Sequence, residues 1–84
     1  MSTRKKSVAR REPSRSRKPL EELGARIRAR RLARGMTQEG LAAVLGISVA
    51  YLSLIERAGR NPPYTTVVAI ARALRLPPRD LFGS

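Results

Sequence analysis

The stretch from Thr37 to Arg57, TQEGLAAVLGISVAYLSLIER, constrains the fold of this chain more than any other part of it. Leu41 and Leu45 repeat at helical spacing behind Thr37, which is a good N-cap residue. Gly46 then supplies the left-handed residue that commonly ends a helix. We therefore predict a short amphipathic helix that begins after Thr37 and stops at a tight turn.

A second short helix is predicted directly after this turn. Ser48 can cap it, and Leu52 and Ile55 lie one turn apart, so they face back toward the first helix. Ala42 offers the small side chain that two steeply crossing helices need. Two such helices joined by a glycine form a helix-turn-helix, whose second helix is presented to the DNA major groove. The alternative is an ordinary corner between helices in a small helical protein.

Length and composition exclude several classes of function. The chain has 84 residues, enough for one small domain, and it contains neither cysteine nor histidine. We therefore expect no disulfide, no metal, no cofactor, no small-molecule ligand and no enzyme activity. No apolar run reaches the roughly twenty residues that cross a bilayer, and no signal peptide is evident. The expectation is a soluble cytoplasmic protein associated with the nucleoid rather than with a membrane.

The formal charge of +12 is divided between the first 19 residues and the rest of the chain, and both parts are basic. Residues 1–19 carry eight Lys or Arg against Glu12, which gives +7, and the remaining ten Arg against five acids give +5. Such a field attracts polyanions and makes binding depend steeply on salt. This favours double-stranded DNA as the partner. General nucleic-acid binding with little sequence preference is one alternative.

Residues 1–19 are predicted to form a disordered basic arm, because they hold almost no apolar side chains and include Pro13 and Pro19. The arm either follows the DNA backbone or a minor groove, or is only a solvating tail. Residues 20–84 are predicted to form the DNA-binding domain.

Helix one is predicted from about Leu20 to Arg34. Extending its apolar stripe by four residues from Ile27 turns Arg31 inward, where an unpaired charge would be costly. Glu56 lies four residues past Leu52 and also leans inward. We therefore predict a salt bridge between Arg31 and Glu56 that locks helix one onto the second helix of the motif.

The C-terminal third is predicted to add two more helices. A loop over residues 57–63 precedes a helix capped by Thr65 or Thr66, and a last turn of helix follows Pro77 and Pro78. The result is an all-α, compact five-helix bundle. Its last two helices are the expected dimer surface, with three apolar residues as candidates: Leu76, Leu81 and Phe82.

The order of these motifs resembles the phage-repressor-like (Cro and lambda-repressor type, XRE) helix-turn-helix family over roughly 60 of the 84 residues. The motifs that carry the resemblance include Gly35-Met36-Thr37-Gln38, Leu41-Ala42, Leu45-Gly46-Ile47-Ser48, Ile55-Glu56-Arg57 and Asp80-Leu81-Phe82. The resemblance implies a lambda-repressor-like domain that binds operator DNA as a homodimer and regulates transcription, as a repressor or a controller protein.

The resemblance also implies which residues meet DNA. Four positions on the second helix of the motif are expected to face the bases: Val49, Ala50, Ser53 and Leu54. Phosphate contacts are expected from Gln38, Arg57, Arg60 and Asn61. Tyr51 either gives its hydroxyl to a phosphate or packs against the neighbouring helix, and we favour the phosphate.

This sequence departs from better-known members of that family in its base-facing residues. Val49, Ala50 and Leu54 offer no hydrogen bonds, so they can read thymine methyl groups but cannot make bidentate base contacts. Specificity should then rest on methyl contacts, Ser53, Arg57 and DNA shape. The same apolar patch suits a protein partner, which leaves an antitoxin-like interaction module as the alternative function.

Two further departures concern local geometry. Arg75 stands where a helix-ending glycine is frequent, so it is expected to carry a positive φ. Pro63 and Pro77 stand where cap residues are usual.

Overall fold

A computed structural model describes the backbone of residues 3–82 and the side chains of residues 18–82. These residues form five helices and no strand. The helices are α1 (Thr3–Ala33), α2 (Gln38–Leu45), α3 (Val49–Glu56), α4 (Tyr64–Ala73) and α5 (Arg79–Phe82). The all-α, five-helix architecture predicted from the sequence is confirmed.

The first helix is longer than the sequence predicts. It extends from Thr3 through Pro13 and Pro19, over the segment that we predicted to be a disordered arm. Helix propensity does not account for this extension, because a proline in a helix interior lacks the backbone N–H donor, and the disorder of the arm stays a prediction. The side chains of residues 1–17 lie outside the described residues, so the role of the arm at DNA and the domain boundary at residue 20 stay predictions.

The helix-turn-helix is built by the caps that the sequence predicts. Thr37 Oγ1 accepts the Gly40 N–H at 2.9 Å at the start of α2, and Ser48 Oγ accepts the Tyr51 N–H at 3.0 Å at the start of α3. Gly46 ends α2 with a φ of 72°. The two helices bend by 111° at this turn, within the range expected for the motif.

No single described helix has the length and apolar character to cross a membrane. When α2 and α3 are counted together, this bent pair is long and apolar enough to cross a membrane by length and composition alone.

All five helices contribute to one hydrophobic core. Leu23 and Ile27 enter it from α1. The other core residues are Leu41, Ala42, Leu52, Ile55, Val67, Ile70, Ala71, Leu74 and Leu81. Leu81 is fully buried, so it is unavailable to the dimer surface for which we considered it, whereas Phe82 is 52% exposed.

The start of α4 differs from the prediction. The helix begins at Tyr64 with Pro63 as its N-cap, and no side chain caps it, so the predicted cap at Thr65 or Thr66 is wrong. Pro63 has a φ of −61°, which suits entry into a helix without a capping side chain. Its carbonyl accepts the N–H groups of Thr66 and Val67 at 3.0 and 3.1 Å.

Two residues other than glycine adopt positive φ among the described residues: Ala58 at 65° and Arg75 at 60°. The positive φ of Arg75 confirms the prediction. It allows the Leu76 N–H to donate to the Ala71 carbonyl at 2.9 Å, which closes the end of α4. The positive φ of Ala58 was not predicted.

Candidate nucleic-acid interface

The first turn of α3 presents its outer side to solvent. Val49 is 37% exposed and Ala50 is exposed, whereas Leu52 and Ile55 are buried on the opposite side. Ser53 lies on the outer side one turn further on and is half-buried. The helix therefore has one side fixed in the core and one side free, as a helix that enters a groove must have.

Leu54 is less accessible than Val49 and Ala50. The chain turns back over it after α3, where the Gly59 N–H donates to the Leu54 carbonyl at 2.7 Å. A Cβ placed on Gly59 would lie only 3.1 Å from Leu54 Cδ2, so the loop packs closely against this side chain. Leu54 is half-buried as a result. The free side-chain surface of α3 is concentrated at Val49 and Ala50.

Basic and polar side chains surround the end of α3. Arg57 is its C-cap and is exposed, with Nε donating to the Ser53 carbonyl at a long 3.4 Å. Arg60 and Asn61 are also exposed, in the loop toward α4. All three residues predicted for phosphate contact here are therefore accessible, and their contact with DNA remains a prediction.

Gln38 has an internal partner that the sequence did not predict. Its Nε2 donates to Glu56 Oε1 at 3.0 Å, and the residue is half-buried at the start of α2. An amide nitrogen carries two N–H donors, so one of them is left for a phosphate. The signal in the sequence was the inward lean of Glu56, which offers a carboxylate acceptor to any donor nearby.

Tyr51 is half-buried and packs against the core, which is the second of the two interpretations we considered. A hydrogen bond from its hydroxyl to a phosphate remains a prediction.

The predicted ion pair between Arg31 and Glu56 is present and is bidentate. Arg31 Nε lies 2.8 Å from Glu56 Oε2, and Arg31 Nη2 lies 3.0 Å from Glu56 Oε1. Arg31 Nη1 also donates to the Met36 carbonyl at 2.9 Å. Both charged side chains are almost fully buried. One buried carboxylate therefore ties α1, the start of α2 and the end of α3 together.

The hydrogen bond to Glu56 raises the pKa of Arg31 and outweighs the opposing effect of burial. Because the pKa of Arg31 is raised on folding, its charged form stabilises the fold at every pH below the ordinary pKa of arginine. Arg31 is therefore charged throughout the working pH range.

Gly24 sets the distance between α1 and the last turn of α3. A Cβ at this position would lie 2.5 Å from the Glu56 carbonyl oxygen and 2.6 Å from the Ile55 carbonyl oxygen. This role of Gly24 was not predicted from the sequence. A glycine beside a buried leucine in a helix was the available signal, because glycine in a helix is unfavourable unless another backbone approaches closely.

The part of the chain with described side chains contains no group of three or more acidic residues that could hold a metal ion. The chemistry that it offers around α3 is that of apolar contact, a hydroxyl, an amide and guanidinium groups.

Residues 27–81 match the model of the family HTH_3, described as helix-turn-helix. The chain belongs to the HTH_3 family. The XRE-type resemblance noted in the sequence is thereby confirmed, and the matched residues run from the buried half of α1 to α5.

Relatives in sequence are named as regulators of transcription. This HTH_3 chain is 45% identical to the HTH-type transcriptional regulator YazB of Bacillus subtilis over 58 aligned residues. The aligned residues are 69% of this chain and 84% of YazB. It is 43% identical to the HTH-type transcriptional regulator Mb0023 of Mycobacterium bovis over 58 aligned residues. These residues are 69% of this chain but 23% of Mb0023.

Solved structures give the same assignment. The restriction-modification controller protein C.AhdI of Aeromonas hydrophila superimposes with a TM-score of 0.73 at 38% identity, over 75% of this chain and 96% of that one. The clp gene regulator ClgR of Corynebacterium glutamicum superimposes with a TM-score of 0.72 at 31% identity, over 74% of this chain and 80% of that one. This HTH_3 chain is thus a transcriptional regulator with a helix-turn-helix DNA-binding domain, a class of proteins that are not enzymes.

Proposed function

We propose that this HTH_3 protein binds operator DNA as a homodimer and represses or controls transcription, with α3 in the major groove. The observation that carries the proposal is the division of α3 into two sides. Leu52, Ile55 and Glu56 anchor one side in the interior, while Val49 and Ala50 leave the other side open at the start of the helix. The protein would act in the cytoplasm, at the nucleoid.

Docking of α3 brings the basic residues behind it to the DNA backbone. Arg57 and Arg60 follow α3 and are exposed, so they can pair with phosphates on one side of the groove. The free N–H of Gln38 and the N-terminus of α2 can contact phosphates on the other side. These contacts fix the register of α3 on the duplex and carry no sequence information themselves.

Sequence preference would come from a small number of contacts. Val49 and Ala50 favour thymine because its methyl group projects into the major groove, and the Ser53 hydroxyl can bond to several base edges. The absence of bidentate donors at these positions leaves a large share of the discrimination to DNA shape. We therefore expect an operator with A·T base pairs under the start of each α3.

Selection from a pool of random-sequence duplexes tests the proposal directly. The selected duplex should contain an inverted repeat with half-sites about one helical turn, or about 34 Å, apart, and it should bind two chains. Its affinity and that of a scrambled duplex are then measured at two salt concentrations. We expect the selected duplex to bind about a thousandfold more tightly.

Equal affinities for both duplexes with a steep salt dependence would instead indicate general, charge-driven binding, and would overturn the proposal.

An antitoxin-like interaction module is the second candidate. The observation that favours it is the exposure of apolar side chains near the turn, with Val44 at 66% and Val49 at 37%. Failure of the selection to enrich any duplex, even at low salt, would favour this candidate.

A further inference from the structure

The side chain of Gln38 connects the surface of the helix-turn-helix to the interior. The residue is half-buried at the start of α2, between Thr37 and Glu39, which are both exposed. On its inner side, Nε2 donates to Glu56 Oε1 at 3.0 Å. An ionised carboxylate only accepts hydrogen bonds, so the amide atom that faces Glu56 must be the nitrogen. The second N–H and the carbonyl oxygen of the amide are thereby left for other partners.

Glu56 is itself held in place by Arg31. Arg31 Nε and Nη2 bind the two carboxylate oxygens of Glu56 at 2.8 and 3.0 Å, and both side chains are almost fully buried. Arg31 is fixed in turn, because its Nη1 donates to the Met36 carbonyl at 2.9 Å. Met36 stands two residues before Gln38. Hydrogen bonds and backbone therefore close a ring that begins and ends at Gln38.

This ring orders a side chain that is otherwise free to move. A glutamine on a helix surface samples many rotamers, and ordering such a side chain when a ligand binds lowers affinity. A hydrogen bond to an ionised carboxylate is stronger than one between neutral groups. The Gln38 amide is therefore ordered when the chain folds, before any duplex binds.

We propose that Glu56 is a positioning residue for DNA binding, which holds the Gln38 amide so that its second N–H is presented to a backbone phosphate. The inference rests on the proposed function, in which Gln38 contacts a phosphate. It deepens that function, because it assigns part of the affinity for every duplex to a buried residue that does not contact DNA. Arg31 contributes by fixing the Glu56 carboxylate and by neutralising its charge, which would otherwise repel the phosphate.

The amide can be observed directly in the free protein by NMR. The chain contains one glutamine and one asparagine, so ¹⁵N-labelled protein gives two side-chain amide groups, those of Gln38 and Asn61. Asn61 is exposed in the loop after α3 and serves as the internal control. We expect an order parameter of about 0.8 for the Gln38 amide and a value below about 0.6 for the Asn61 amide.

Removal of the ion pair tests the cause of this order. In the Arg31→Met/Glu56→Met chain, Gln38 loses its acceptor while the interior stays uncharged, so its order parameter should fall to that of Asn61. Gln38→Ala should weaken binding of the wild-type chain to the selected and scrambled duplexes about tenfold per chain, but only about twofold or less in the doubly substituted chain. Circular dichroism checks that each variant is folded.

Arg60→Ala is the matched control for these measurements. Arg60 is exposed in the loop outside the hydrogen-bonded ring, and it is another residue proposed to contact a phosphate. Its substitution should weaken binding by the same factor in both chains. A loss of the Arg60→Ala effect together with the Gln38→Ala effect would show a general disturbance of the interface and would overturn the inference.

A Gln38 amide as mobile as the Asn61 amide in the wild-type chain would overturn the inference, and this comparison needs no variant to fold. An equal effect of Gln38→Ala in both chains would also overturn it. Its failure is distinguishable from failure of the proposed function. A mobile Gln38 amide in a chain that binds the selected duplex tightly refutes the role of Glu56 alone. A rigid amide in a chain that binds neither duplex refutes operator binding, and with it any role of Glu56 beyond the fold.

Discussion

Gly24 determines how closely α1 approaches the last turn of α3. Because Gly24 has no Cβ, the α1 backbone can approach the carbonyl groups of Ile55 and Glu56 closely. Backbone atoms on both sides cannot move aside as a flexible side chain would, so an added methyl group must push the helices apart and disturb the ion pair beside them.

We expect Gly24→Ala to lower the free energy of unfolding by about 1–3 kcal/mol or more, despite the better helix propensity of alanine. Urea unfolding followed by circular dichroism measures this. Gly40→Ala is the matched control, because a Cβ at Gly40 meets only the Thr37 hydroxyl oxygen, at 3.2 Å. Equal effects of the two substitutions would show that the close approach at Gly24 is unimportant.

The ion pair between Arg31 and Glu56 makes a second prediction at this scale. Arg31→Met leaves the Glu56 carboxylate buried with Gln38 as its remaining partner, which should cost about 3–5 kcal/mol. Replacing Glu56 by Met in the same chain removes the unpaired charge and should restore much of that stability. Simple addition of the two single effects in a double-mutant cycle would contradict this.

At the scale of the element, the two ends of α3 have different proposed roles. The residue at its C-terminal end would contact phosphate and raise affinity for any duplex, whereas residues at its start would contact bases and set sequence preference. Arg57 sits at its C-terminal end and is exposed, so its proposed role is to pair with a phosphate. Arg57→Ala should weaken binding to the selected and scrambled duplexes alike. The slope of log K against log salt should become shallower by about 0.9 per chain. Arg72→Ala, on the exposed surface of α4, is the control and should leave the slope unchanged.

The start of α3 should behave differently. Val49→Ala removes the methyl groups proposed to meet thymine, and Ser53→Ala removes the hydroxyl. We expect each to change the ranking of operator variants in a competition assay while the salt slope stays as it was. An unchanged ranking after Val49→Ala would mean that the base-facing side of α3 has been wrongly assigned.

The predictions that the structure confirms depend on residues close together in sequence or on one helical period. The caps at Thr37 and Ser48, the turn at Gly46 and the inward lean of Arg31 and Glu56 all follow from spacing alone. The structure added what depends on distant parts of the chain, namely the approach at Gly24, the bond from Gln38 and the loop over Leu54. Such contacts arise from how helices cross, which no local pattern specifies.

At the scale of the whole molecule, the N-terminal arm and the domain that follows it both carry net positive charge. The N-terminal arm, residues 1–19, contributes eight of the eighteen Lys and Arg residues. Removing residues 1–19 should lower affinity for every duplex and reduce the salt slope, because fewer counterions are released. Thermal unfolding of the shortened chain should match that of the full chain. A marked fall in its melting temperature would mean that the arm belongs to the fold.

The exposed position of Val49 and Ala50 has a consequence for how such proteins diverge. Neither side chain belongs to the core or forms a cap. Under the proposed base-facing role, a gene copy that changes only these two codons keeps its architecture and acquires a new target. Two copies of such a gene in one cell would then regulate different operators after very few nucleotide changes.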